Sequence, residues 1–216
     1  MNRLKVSSST SRFRALRSAG FAVGLLGGFC STQAQVGSGW TQYSATSTIQ
    51  KASDPSKATY TNSGGVETFI ITPGANRCEA RVNNNYTSGQ RQFQGEVRVS
   101  SPTNDQAVHQ VFGNDQADDG SGPALMVRAF ASDKSLRVGS SKVVATNIYG
   151  VWTRVNTVHV VASSGGTIDT YINGTKKDSG RRGGGLANHY FKYGVYGTLN
   201  TSSAKSEWRS VKYFRK

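Results

Sequence analysis

Two cysteines in 216 residues, Cys30 and Cys78, are too few to build a disulfide framework. No Cys/His cluster has the spacing of a zinc site, so neither cross-links nor a structural metal replaces a packed core. Proline is scarce, with four residues against 25 glycines. No stretch sustains a 3.6-residue apolar period over three turns, which argues against a helical protein. Acidic side chains number 12 against 26 basic ones, a poor supply for the paired carboxylates of glycoside hydrolysis. No phosphate-binding loop, Ser-His-Asp spacing or cysteine-nucleophile pattern is present. The longest apolar run, Ala19 to Phe29, falls short of the ~20 residues that span a bilayer.

That run has a different reading. Met1 to Arg17 carries Arg3, Lys5, Arg12, Arg14 and Arg17 and no acid. The apolar run follows, and then Ser31-Thr32-Gln33-Ala34 places small residues where a signal peptidase reads them. Residues 1–34 are therefore expected to be a secretory signal, and 35–216 a single domain, secreted or periplasmic and not membrane-anchored after cleavage. Removing the signal leaves 21 basic and 12 acidic residues, a charge near +9, and Cys78 alone. So basic an exported protein suggests a polyanionic partner, and outside the cell an acidic polysaccharide suits better than nucleic acid. Solubility alone is the plainer explanation of the charge.

Short β-signals with turns between them fill the rest. Gln35 to Lys57 is polar, with one strand at most. Strands are expected at Val66–Ile71, Arg77–Asn83, Gln92–Val99, Ala107–Phe112, Ala124–Ala131, Ser135–Val138, Val143–Asn147, Trp152–Ala162, Thr167–Asn173, Tyr190–Thr198 and Ser206–Phe214. Asn173-Gly174 is a hairpin turn, since both residues tolerate positive φ. Ser179 to Gly185, with Arg181 and Arg182 among glycines, reads as a mobile basic loop. More than ten short strands imply two stacked antiparallel sheets.

Three strands have unusual polar faces. Arg77, Glu79, Arg81 and Asn83 alternate with Cys78, Ala80 and Val82. Tyr190, Lys192, Gly194 and Tyr196 alternate with Phe191, Tyr193 and Val195. Gln110 and Phe112 share one face of the third strand, and His109 and Val111 the other. The functional reading is a groove in which arginines grip carboxylates. The plainer one is a solvated face with an ion pair and some surface aromatics. The lone histidines His109, His159 and His189 are expected to be structural. Asp115, Asp118 and Asp119 offer oxygen ligands for a structural Ca²⁺, but in no recognised spacing, and no cofactor is expected.

These stretches carry a resemblance. Arg77-Cys78-Glu79-Ala80-Arg81, Gln110-Val111-Phe112-Gly113 and Tyr190-Phe191-Lys192-Tyr193-Gly194-Val195-Tyr196 resemble, in the same order, the Arg-x-Glu-x-Arg, Gln-Ile-His-Gly and Tyr-Phe-Lys-Ala-Gly-x-Tyr strands of alginate-lyase-like jelly rolls, polysaccharide lyase family 7. Asn84 to Gly89, Arg91-Gln92-Phe93, Tyr193 to Thr198 and Glu207-Trp208-Arg209 resemble the glucuronan lyases of family 20 more closely. The resemblance implies an all-β, concanavalin-like jelly-roll sandwich of two antiparallel sheets, working as a monomer on an acidic polyuronate by β-elimination. It implies that Tyr196, Gln110 and Arg77 are catalytic, and that Arg81, Glu79, Asn83, Tyr190 and Lys192 bind substrate. Where family 7 has a histidine this chain has Phe112. That leaves three options: Tyr196 as both base and acid, a histidine from another strand, or a groove that binds sugar without cutting it.

Overall fold

A computed structural model describes residues 35–216 except 114–121, 184, 186–187 and 200–201; of Arg181 and Arg182 it describes the backbone only. The expected signal segment and the Asp115, Asp118 and Asp119 loop lie outside the described residues.

Among the described residues the chain forms two sheets and no α-helix. The first sheet runs, edge to edge, through β13 (Thr175–Arg182), β12 (Thr167–Ile172), β11 (Thr153–Val160), β6 (Gln90–Ser100), β15 (Ala204–Arg215), β4 (Val66–Ile71) and β3 (Ala58–Ser63), with β1 (Thr41–Tyr43) paired to the end of β15. The second runs through β10 (Lys142–Ala145), β9 (Ser135–Val138), β8 (Pro123–Phe130), β7 (Gln106–Phe112), β14 (Tyr190–Tyr196), β5 (Arg77–Val82) and β2 (Ser47–Lys51). Every pairing within the two sheets is antiparallel. The fold is the expected jelly-roll sandwich.

The core lies between the sheets and is built by the apolar half of each alternation. Cys78, Ala80 and Val82 of β5 and Phe191, Tyr193 and Val195 of β14 face inward and are buried. They meet Phe69, Phe93 and Trp208 of the other sheet, with Phe93 5.8 Å from both Phe191 and Tyr193 between ring centroids. All three histidines are fully buried. The His109 ring stacks on Phe93 at 4.1 Å and bridges Thr157 Oγ1 and the Lys192 carbonyl, both at 2.9 Å. His159 bonds Tyr86 Oη and the Gly183 carbonyl, and His189 bonds the Phe112 and Gly185 carbonyls. Burial drives the pKa of His109 and of His159 down to about 3, so both rings are neutral at ordinary pH.

Two expectations change. Ser179 to Arg182 is not a loop but the end of β13, with Thr167 opposite Arg182 and Ile168 opposite Arg181. The Asn173-Gly174 turn, at φ 51° and 84°, starts a hairpin, and the ladder to β12 overrides the weak strand propensity of its polar residues. Gln35 to Lys57 holds two strands rather than one, and β3, whose inward face is only Ala58 and Tyr60, completes a hairpin with β4 through Gly64-Gly65.

Candidate active site

The outer face of the second sheet carries the site. In its middle β7, β14 and β5 lie side by side, and the register is fixed by their buried faces. Lys192 of β14 sits between Gln110 of β7 and Arg81 of β5, Tyr190 opposite Phe112, and Tyr196 opposite Arg77. Directly paired residues share a face, so the three polar alternations merge into one surface.

There, Arg77, Gln110, Tyr190, Lys192 and Tyr196 line a single cavity of about 270 Å³. Phe112, Pro123 and Gln50 complete its wall. The aromatic side is ordered by stacking: Phe112 lies on Tyr190 at 4.9 Å and 20° between planes. The Lys192 ammonium lies 4.7 Å from the Phe112 ring centroid, the Arg81 guanidinium 4.0 Å from that of Tyr190, and the Arg77 guanidinium 5.5 Å from that of Tyr196. Cations over ring faces gain from the ring quadrupole, which helps to hold them in place. Burial raises the Tyr190 phenol above its ordinary pKa, against the pull of Arg81.

Beneath this layer lies Glu79, 2 % exposed. It sits on β5, opposite Gly194 of β14. Its carboxylate accepts from Gln110 Nε2 on β7, two strands away, and faces Lys192 Nζ at 3.6 Å. The link reaches across β14 from β5 to β7. Burial opposes charge on both partners, pushing the Glu79 carboxyl up and the Lys192 ammonium down, while their mutual attraction acts the other way.

Of the eight residues expected in the site, five therefore line the cavity and three do not. Glu79 lies under the floor, against Lys192 and Gln110. Arg81 is beside the cavity, with Tyr190 under its guanidinium and its Nη2 donating to Asn85 Oδ1 at 2.7 Å. Asn83 is exposed and tied to Thr46 and Thr48 as well as to Arg81. Gln50 and Pro123 were not expected. Gln50 had a signal: Thr48 and Gln50 alternate with Ile49, and β2 pairs Gln50 with Glu79. Pro123 follows the undescribed stretch and had none. The three histidines point into the core, so none of them reaches the cavity.

The outer face of this jelly-roll sheet thus gathers arginine, lysine, glutamine and tyrosine around one cavity. The chain belongs to the alginate lyase family, whose family model matches residues 47–215. Solved structures with the same fold include the PL7 alginate lyase AlyA1 from Zobellia galactanivorans, at 15 % identity and TM-score 0.58 over 82 % of this chain and 95 % of that one. Another is a variant of the family 7 alginate lyase A1-II′ in complex with substrate, at 18 % identity and TM-score 0.55 over 71 % and 80 %. A relative in sequence is a citrate-binding protein of Hevea brasiliensis, 37 % identical over 153 residues. That match takes in 68 % of this chain and 59 % of the relative, so the chain spans under two thirds of its length. No glucuronan lyase is among these relatives, and of the stretches read as resembling that family Tyr86, Phe93, Tyr193 and Trp208 are buried in the core.

Proposed function

We propose that this protein is an exported lyase that cleaves a polyuronate, glucuronan or an alginate-like chain, by β-elimination. The observation that carries the reading is the convergence of Arg77, Gln110, Lys192 and Tyr196 on one cavity. In the reaction a base removes the proton at C5 of a uronate, and its electron pair forms the C4–C5 double bond. The C4–oxygen bond breaks, and the departing oxygen takes a proton. The C5 proton is weakly acidic, so charge building on the adjacent carboxylate has to be stabilised in the transition state. Arg77, Gln110 and Lys192 supply donors for this, the arginine with a fork that matches a carboxylate. Tyr196 is the proton-transfer group. With every histidine in the core and Phe112 on the wall, it serves as base and then as acid. A phenol acting as a base needs cations close by, and the Arg77 guanidinium lies 5.5 Å from the centroid of its ring. Phe112 and Tyr190 give the sugar an apolar face to lie against.

The test is a screen of purified protein on glucuronan, alginate and pectate, following the ultraviolet absorbance of the new conjugated double bond. Absorbance rising on one of them supports the reading. Silence on all three, with binding to any, favours a second one: a non-catalytic carbohydrate or polycarboxylate binder. The name of the citrate-binding relative and the phenylalanine at 112 both support that alternative.

A further inference from the structure

We infer that Glu79 is a positioning residue, which keeps the Lys192 ammonium charged and fixes the Gln110 amide from below the cavity floor without touching the sugar. Three observations carry this. Glu79 is 2 % exposed, and its Oε2 is closed off from solvent and has no hydrogen-bond partner. A substrate atom cannot reach what a water molecule cannot. The same carboxylate contacts two cavity-lining side chains on two other strands, Gln110 by a hydrogen bond and Lys192 by an ion pair. Finally, β14 runs so close to the β5 backbone at Glu79 that residue 194 must be glycine. A Cβ there would fall 2.8 Å from the Glu79 Cα and 2.5 Å from the Cys78 carbonyl oxygen.

The charges around Lys192 explain why the carboxylate is needed. From β5, Arg77 and Arg81 both press its ammonium toward deprotonation, and burial does the same. From β7 it meets the neutral Gln110 and the Phe112 ring, and on its own strand Tyr190. Among the described residues, Glu79 is the negative group that opposes these. Buried carboxylates usually serve stability, but replacing this one by an isosteric amide separates that role from the electrostatic one. Glu79→Gln keeps the shape and can still accept from Gln110, yet it removes the charge that holds the Lys192 proton.

The inference rests on the lyase reading only for its kinetic arm. Glu79→Gln should unfold close to the wild-type temperature and lose about 10- to 100-fold in kcat/KM. The alkaline limb of its pH profile should move about one unit or more toward lower pH. Carbon-13 NMR of labelled lysine, with Lys192→Met to assign the resonance, reads the Lys192 titration with no substrate. It should show the same downward shift. Glu79→Asp restores charge but loses reach, and should recover the Lys192 titration better than the rate. An unmoved Lys192 titration in Glu79→Gln overturns the inference, whether or not the protein proves to be a lyase. A shifted titration in a protein inactive on every polyuronate would leave it standing and remove the lyase reading instead.

Discussion

Replacing Gly194 by alanine tests how closely β14 and β5 approach under the candidate site. Gly194 has φ +134°, a region essentially reserved for glycine. Its added Cβ would lie 2.5 Å from the Cys78 carbonyl oxygen, 2.8 Å from the Glu79 Cα and 3.0 Å from Phe69 Cδ1. Two of these are backbone atoms of β5, hydrogen-bonded to β14 on one side and β2 on the other, so they cannot swing away as a side-chain tip would. The backbone conformation costs about 1–3 kcal/mol. The overpacking costs about another 1–3 kcal/mol. For a domain of this size each kcal/mol lowers the melting temperature by about 2–4 °C, so Gly194→Ala should lower it by roughly 4–24 °C. Gly139 is the control: its φ is +65°, but a Cβ there meets nothing within 4 Å, so alanine should cost only the about 1–2 kcal/mol of left-handed backbone. Thermal unfolding followed by near-ultraviolet circular dichroism measures both. If Gly194→Ala melts no lower than Gly139→Ala, the close approach of β14 and β5 is not as described.

Arg77→Ala should lower kcat/KM by about 10²–10³-fold, as the loss of a donor aimed at developing charge does, with KM raised as well; steady-state kinetics on the active polyuronate checks this. Phe112→Ala removes the stack on Tyr190 and the ring beneath Lys192, and should weaken substrate binding by about 0.5–1.5 kcal/mol, readable by calorimetry with an oligouronate. The pH dependence of stability follows from His109 and His159. Both fold with pKa values of about 3 and unfold to an ordinary value near 6.5, so the unfolded chain binds more protons between these limits. Stability is fully present above pH 6.5 and falls as pH drops toward 3, by up to about 1.4 kcal/mol per histidine per unit. Urea unfolding at pH 7, 6, 5 and 4 should show that decline, and His109→Gln should make it shallower.

Much of this molecule was readable before any coordinates. Where a strand is apolar on one face only, as in Arg77 to Val82 and Tyr190 to Tyr196, period-two alternation marks both the element and its outward residues. The fold class followed from the number of such strands, and five cavity-lining residues from their polar faces. Burial across two strands was not readable. In one strand Glu79 is equivalent to Arg77 and Arg81, and nothing in the alternation marks it as the one buried against Gln110 and Lys192 of other strands. β3 was missed because only Ala58 and Tyr60 alternate there before Asn62 and Ser63 turn both faces polar at the sheet edge. The strand through Arg181 and Arg182 was missed because pairing, not propensity, makes it.

The account centres on Tyr196 moving the proton in a trough that neutralises a uronate. Wild type and Tyr196→Phe should be compared on the same polyuronate, with unsaturated ends measured by ultraviolet absorbance and binding by calorimetry. The phenylalanine keeps the ring against Arg77 and deletes only the hydroxyl, so turnover should vanish while affinity stays within a few-fold of wild type. Full activity in Tyr196→Phe would contradict the account.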